Sequence, residues 1–178
     1  MARELSFQQA ARQRKAQEGW KMDSKDLETR IQLIEDVEAI KKLKHQYCHY
    51  CDANYDADAI AALYTEDAIW EGNGIGKFEG REAIRKFFKG ASKSFKFAIH
   101  NVVNPIIDVH GDTAKAEWKL LQPCTVDGKA TWLAGVYSDD YVRSGGKWLF
   151  KHLRVNILFL TPYEDGWVRK QFVDGFKG

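Results

Sequence analysis

Two side chains far apart in the sequence have the chemistry of a base and its orienting carboxylate. His100 lies within FKFAIHNVVNPIIDV, residues 95–109, a β-type run in which it is in phase with Ala98 and Val102. An imidazole among apolar neighbours is a candidate proton acceptor, and it is equally what a hydrogen-bonded core histidine looks like. Asp52 follows HQYCHYC at the end of a helix-patterned segment. Its carboxylate either serves the turn there or reaches His100, where it would fix the tautomer and stabilise the imidazolium. Tyr47, a little over one helical turn earlier, carries a hydroxyl that needs a partner in a core and can donate to a substrate oxygen in a pocket. Arg154 could polarise a carbonyl or assist a leaving group, or it could form a surface ion pair.

Other chemistry is less well supported by spacing. His45, Cys48, His49 and Cys51 are zinc-ligand types, but on one helix Cys51 lies about 120° round from His49, so the four cannot converge on one ion. No second Cys/His cluster completes a site, and no metal is expected. GNGIG, residues 72–76, lacks the spacing of a phosphate-binding loop and reads as a turn. Trp70, Trp118 and Trp132 fall mostly in strand-like segments, where core packing accounts for them and where they would also suit a pocket for a ring-shaped ligand.

The elements that must position these groups change character along the chain. Residues 1–25 are polar with isolated apolar anchors and read as a tail or arm. From Asp26, the residues Ile34, Val37, Ile40, Leu43, Tyr47 and Cys51 recur at spacings of three and four, predicting a helix to about Cys51. A short helix over ADAIAALYT, a strand over AIWEGN and a third helix over REAIRKFFKG ending near Gly90 come next. Four long segments, 95–109, 113–124, 130–142 and 147–160, are separated by HGD, VDGK and SGGK, turn chemistries that join antiparallel strands. The expected fold is α+β: about three helices on one face of a curved, cone-shaped antiparallel sheet, in one domain over 26–165, with 166–178 as a C-terminal tail. On the last strand, alternation places Trp148, Phe150, His152, Arg154 and Asn156 on one face, so that the polar three would line the cone.

Composition narrows the class. Hydrophobic content of 44% in 178 residues supports a real core, and a net charge of +2 with interspersed signs argues against a nucleic-acid surface. No run approaches the ~20 apolar residues of a membrane span. Three cysteines cannot all pair, which favours a reducing, cytoplasmic setting.

Taken together, EAIKKLKHQYCHYCD, AIWEGNGIGKFEGREAI, the IHN stretch and GVYSDDYVRSGGKWLFKHLRVNILFLTP resemble the SnoaL-like, or nuclear-transport-factor-2-like, proteins. Within these the chain is similar to the branch of scytalone dehydratase, bile-acid dehydratase and hexachlorocyclohexane dehydrochlorinase. The resemblance covers about residues 35–165 and implies an Asp–His pair at Asp52 and His100 with a tyrosine at Tyr47. The branch's last-strand arginine is not matched: Asn156 stands where the bile-acid enzyme has it and Leu153 where the dehydrochlorinase does, with Arg154 nearby. The resemblance further implies a cofactor-free dehydratase-like lyase, forming a homotrimer, that removes a proton from a small hydrophobic polycyclic or aromatic substrate. A noncatalytic ligand-binding or assembly module remains open, as does isomerase, cyclase or dehydrohalogenase chemistry in the same pocket.

Overall fold

The structure is a computed structural model that describes residues 23–176 and 178, so most of the expected arm at 1–25 lies outside the described residues. The chain divides into two units, Met1–Asp36 and Val37–Gly178. In the first, the described residues form the start of helix α1 (Ser24–Asp52) and leave Leu27, Ile31, Leu33 and Ile34 exposed. Ile34, expected in the buried stripe, is 63% exposed.

In the second unit the stripe becomes a core face: Ile40, Leu43, Tyr47, Cys48 and Cys51 are buried at three- and four-residue spacing. Asp56 caps α2 (Ala57–Ala61), its Oδ1 accepting the Ala59 N–H at 3.0 Å. Strands β1 (Tyr64–Gly72) and β2 (Gly76–Glu79) pair around the GNGIG turn. Helix α3 (Arg81–Ser94) runs past Gly90 because Ala91, one turn after Phe88, continues its buried face.

The sheet continues with β3 (Phe95–Ala98), β4 (Asn101–His110), β5 (Thr113–Val126), β6 (Lys129–Ser144) and β7 (Lys147–Pro162). Its order is β2-β1-β7-β6-β5-β3, with β4 also on β5, and it curls into a half-barrel. All pairings are antiparallel except β1 with β7. The fold is thus α+β as expected, but residues 95–109 are not one strand. The chain breaks at Ile99–His100, where the His100 backbone N–H turns to a side-chain carboxylate.

β7 departs from simple alternation. Tyr141 pairs with Phe150 and Asp140 with His152, so Lys151 is an extra residue; Gly135 pairs with Ile157 and Ala134 with Phe159, so Leu158 is another. Each bulge reverses the facing of the residues after it. Trp148 and Phe150 are buried before the first, and Leu153, Val155 and Ile157 after it. The second bulge needs close backbone approach: a Cβ on Gly135 would lie 2.9 Å from the Asn156 carbonyl oxygen.

The expected tail at 166–178 is instead partly docked. After α4 (Gly166–Arg169), Phe172 bridges to Leu160, the Val173 N–H donates to the Leu160 carbonyl at 2.7 Å, and Phe172, Val173 and Phe176 pack on the core. These apolar side chains give the segment a reason to fold back.

Beneath the apolar core lies an ion pair. The Lys44 ammonium donates to Asp139 Oδ2 at 2.9 Å with both side chains fully buried, and the Tyr141 hydroxyl donates to the same oxygen at 2.9 Å. Burial pushes the Asp139 carboxyl up from its usual range, while Lys44 and Tyr141 pull it back. Removing one partner strands the other charge, so Lys44→Met is expected to cost about 3–5 kcal/mol in denaturant unfolding. The double variant Lys44→Met/Asp139→Leu recovers most of that loss, because it leaves no buried charge.

Candidate active site

Helix α1 delivers Asp52 at its last residue, and the break between β3 and β4 brings His100 to it. Asp52 Oδ1 and Oδ2 accept the His100 backbone N–H at 3.0 and 3.2 Å, and Oδ1 lies 2.6 Å from the ring Nδ1. The His100 side chain is 6% exposed and that of Asp52 29%. An ionised carboxylate only accepts, so against it Nδ1 is the donor, and in the neutral ring Nε2 is then left with the lone pair. Two bonds from one carboxylate, one to the backbone and one to the ring, fix both position and rotation of the imidazole.

Tyr55 supports this arrangement from the turn after α1. Its ring meets the His100 ring nearly perpendicularly, at 83° and 6.4 Å between centroids. Asn54 and Tyr55 hold left-handed backbone conformations, with φ of 61° and 56°. A non-glycine residue held there costs about 1–3 kcal/mol, a strain that clusters at functional sites.

The imidazole opens onto a cavity of about 60 Å³. Its walls are largely aromatic and aliphatic, among them Trp70, Phe87, Phe88, Leu120 and Val155. Among the described residues the polar groups reaching it are His100, Gln122 and the hydroxyl-bearing rings of Tyr47, Tyr55 and Tyr137, and none is a lysine or arginine. The Tyr47 hydroxyl accepts the Trp70 indole N–H at 3.2 Å. Burial pushes the Tyr47 and Tyr137 phenols up from their usual range, so both hold their protons. The volume is well below the ~150 Å³ of an engineered cavity that takes benzene. A ring-sized ligand therefore enters only if rim side chains move.

Of the residues expected to form the site, Tyr47, Trp70 and His100 meet at the cavity with Asp52 behind His100. Trp118 does not line it: the side chain is fully buried and donates its indole N–H to Tyr141 at 3.3 Å. Trp132 is half-buried and alternates with Leu133, which does line the cavity. Arg154 and Asn156 also depart from expectation and do not reach the cavity. The extra residue Lys151 turns them to the other face of β7, where Arg154 pairs with Asp140 at 2.8 Å and Glu71 at 3.4 Å, and Asn156 is exposed.

In HQYCHYC, Cys48 and Cys51 are buried while His45 and His49 are exposed. Burial pushes the Cys48 thiol up to about 12. Among the described residues no group of three or more His, Cys, Asp or Glu is placed to hold a metal ion. Tyr55 and Gln122 were not anticipated. Gln122 had a visible signal, since it is the single uncharged polar residue in the apolar phase Ala114, Ala116, Trp118, Leu120, Gln122, Cys124.

The SnoaL-like domain matches residues 32–154, and the chain belongs to that family. Similar solved structures come from Novosphingobium. A protein of N. aromaticivorans described as an aromatic ring hydroxylase is 28% identical, with a TM-score of 0.68 over 74% of this chain and 96% of that one. Another from the same organism, described as a scytalone dehydratase, is 26% identical, with a TM-score of 0.68 over 84% and 99%. The hexachlorocyclohexane dehydrochlorinase of N. barchaimii, 22% identical with a TM-score of 0.69 over 74% and 92%, shares the fold. No curated protein matches the sequence.

The clamp predicts the tautomer. Long-range ¹H–¹⁵N NMR should find the neutral His100 ring protonated at Nδ1, and Asp52→Asn should abolish that preference, because an amide can offer either a donor or an acceptor to the ring.

Proposed function

We propose that the protein is a cofactor-independent lyase of the dehydratase type. The observation that carries this reading is the Asp52–His100 clamp, which directs Nδ1 to the carboxylate and Nε2 to an apolar cavity. In the proposed reaction Nε2 takes a proton from a carbon next to a substrate carbonyl. The C–H electron pair becomes the new C=C bond as the C–O bond to the β-hydroxyl breaks. The departing oxygen takes the proton back from the imidazolium, so water leaves and the base is reset. Asp52 stabilises the imidazolium. The Tyr47 phenol supports the developing oxygen charge.

The cavity volume bears on the substrate, favouring a flat aromatic ring over a larger polycyclic one. The same volume favours a second reading, a noncatalytic binding module in which the aromatic walls are core. Isomerisation, cyclisation or dehydrohalogenation would use the same base, and product identity separates them. Homotrimer formation and a cytoplasmic location belong to the same proposal. The first draws support from exposed Val103, Ile106 and Leu121 on the paired strands β4 and β5, and the second from three buried free cysteines.

The test is a panel of hydroxylated aryl and cyclic ketones followed by mass spectrometry for loss of water. For whichever ketol turns over, His100→Ala is expected to lower kcat by roughly 10²–10⁴-fold while circular dichroism remains that of the wild type. Arg154→Met, on the other face, should leave kcat within about twofold. Wild-type turnover by the His100 variant would discard the mechanism, and no turnover across the panel would favour the binding module.

A further inference from the structure

Gln122 as a residue is 3% exposed, lines the cavity, and its amide makes no hydrogen bond among the described residues. Burying an amide without a partner is costly, and native chains rarely do it without a reason. Here a largely apolar cavity, with no lysine or arginine among its described lining residues, contains a group with two donors and an acceptor that makes no hydrogen bond to the described residues.

Strand register gives the amide its position relative to the base. Ala98 pairs with Cys124 and Asn101 with Leu121, and between them the Ile99 N–H donates to the Pro123 carbonyl at 3.1 Å. Counting inward from both ends puts His100 directly opposite Gln122. Cross-strand neighbours on one face have Cβ atoms about 4.5–5.5 Å apart, and both side chains line the same cavity. A substrate carbon reached by Nε2 and the carbonyl oxygen on its neighbour, only two bonds apart, can therefore be met by the two side chains together.

We propose that Gln122 is a specificity-determining substrate contact, its amide N–H donating to an uncharged carbonyl oxygen beside the carbon that His100 deprotonates. The amide oxygen is then free to accept from a hydroxyl on the same molecule, which selects a neutral ketol. An anionic group in that place would be buried without a counter-charge from the described lining residues, none of which is a lysine or arginine, and buried Lys44 is already committed to Asp139. As the C–H bond breaks, charge moves onto the carbonyl oxygen, so the Gln122 bond strengthens in the transition state.

This inference rests on the dehydratase reading above, but binding tests it without turnover. Fluorine NMR titration would use three ring probes of similar size: 4-fluoroacetophenone, 4-fluorotoluene and 4-fluorobenzoate. The wild type should bind the ketone about tenfold more tightly than the toluene, the worth of one buried hydrogen bond, and the carboxylate most weakly. Gln122→Met should erase the ketone preference while holding toluene affinity, with its Tm equal to or above the wild type, since an unpartnered polar group has been removed. Gln122→Leu provides the same comparison should the methionine variant fail to fold.

His100→Gln should keep the ketone preference. A chain that loses the dehydratase reading but keeps this preference still has Gln122 as a ligand contact. An unchanged ketone-to-toluene ratio in Gln122→Met, tighter binding of the carboxylate, no binding of the ketone at millimolar concentration, or a fall in Tm would each overturn the proposal.

Discussion

A carboxylate at the end of a helix that binds one backbone N–H and one ring nitrogen of the same residue is the constraint on which the site depends. Asp52 does both to His100. The bond to the backbone holds the chain at the break between β3 and β4, and the ring bond sets which nitrogen faces the cavity. Each requires the other's geometry, because the ring could not rotate without straining an amide already held. The left-handed turn at Asn54 and Tyr55, close after Asp52 in the chain, then places an aromatic edge against the same imidazole.

Around this fixed point the chain separates charge from reactive space. The buried charges Lys44 and Asp139 neutralise each other just behind the cavity lining, where Lys44 sits 3.3 Å from the ring centroid of lining Tyr137. The lining itself is left with phenols, an amide and an imidazole. In such surroundings a neutral imidazole costs little to bury, whereas an imidazolium requires the carboxylate behind it. The Asp52 charge is thus most valuable at the moment the ring gains a proton.

The broad architecture was legible because it is written in periodicity: helix spacing through Ile40, Leu43, Tyr47 and Cys51, then long β-rich segments punctuated by HGD, VDGK and SGGK. The Asp52–His100 pair was legible through resemblance together with the presence of a polar residue in an apolar run. Three things were not legible, each for a physical reason. The break at Ile99–His100 depends on a contact 48 residues away, which local propensity cannot see. The facing of Arg154 and Asn156 depends on an extra residue that period-two counting assumes away. The volume left in the cone depends on how aromatic side chains interdigitate, which composition does not encode.

The bulge at Lys151 has a consequence for how this chain can vary. Leu153 and Asn156, the two positions matched by resemblance to an arginine, fall on opposite faces of β7, one inside and one out. Drawing Lys151 into the ladder, with every residue kept, would restore unbroken alternation from Phe150 onward, turn Arg154 inward and expel Leu153, Val155 and Ile157 from the core side, whereas deleting Lys151 would remove the bulge and leave their facing as it is. The bulge at Lys151, a residue that does not itself line the cavity, is therefore what keeps the Arg154 guanidinium out of it.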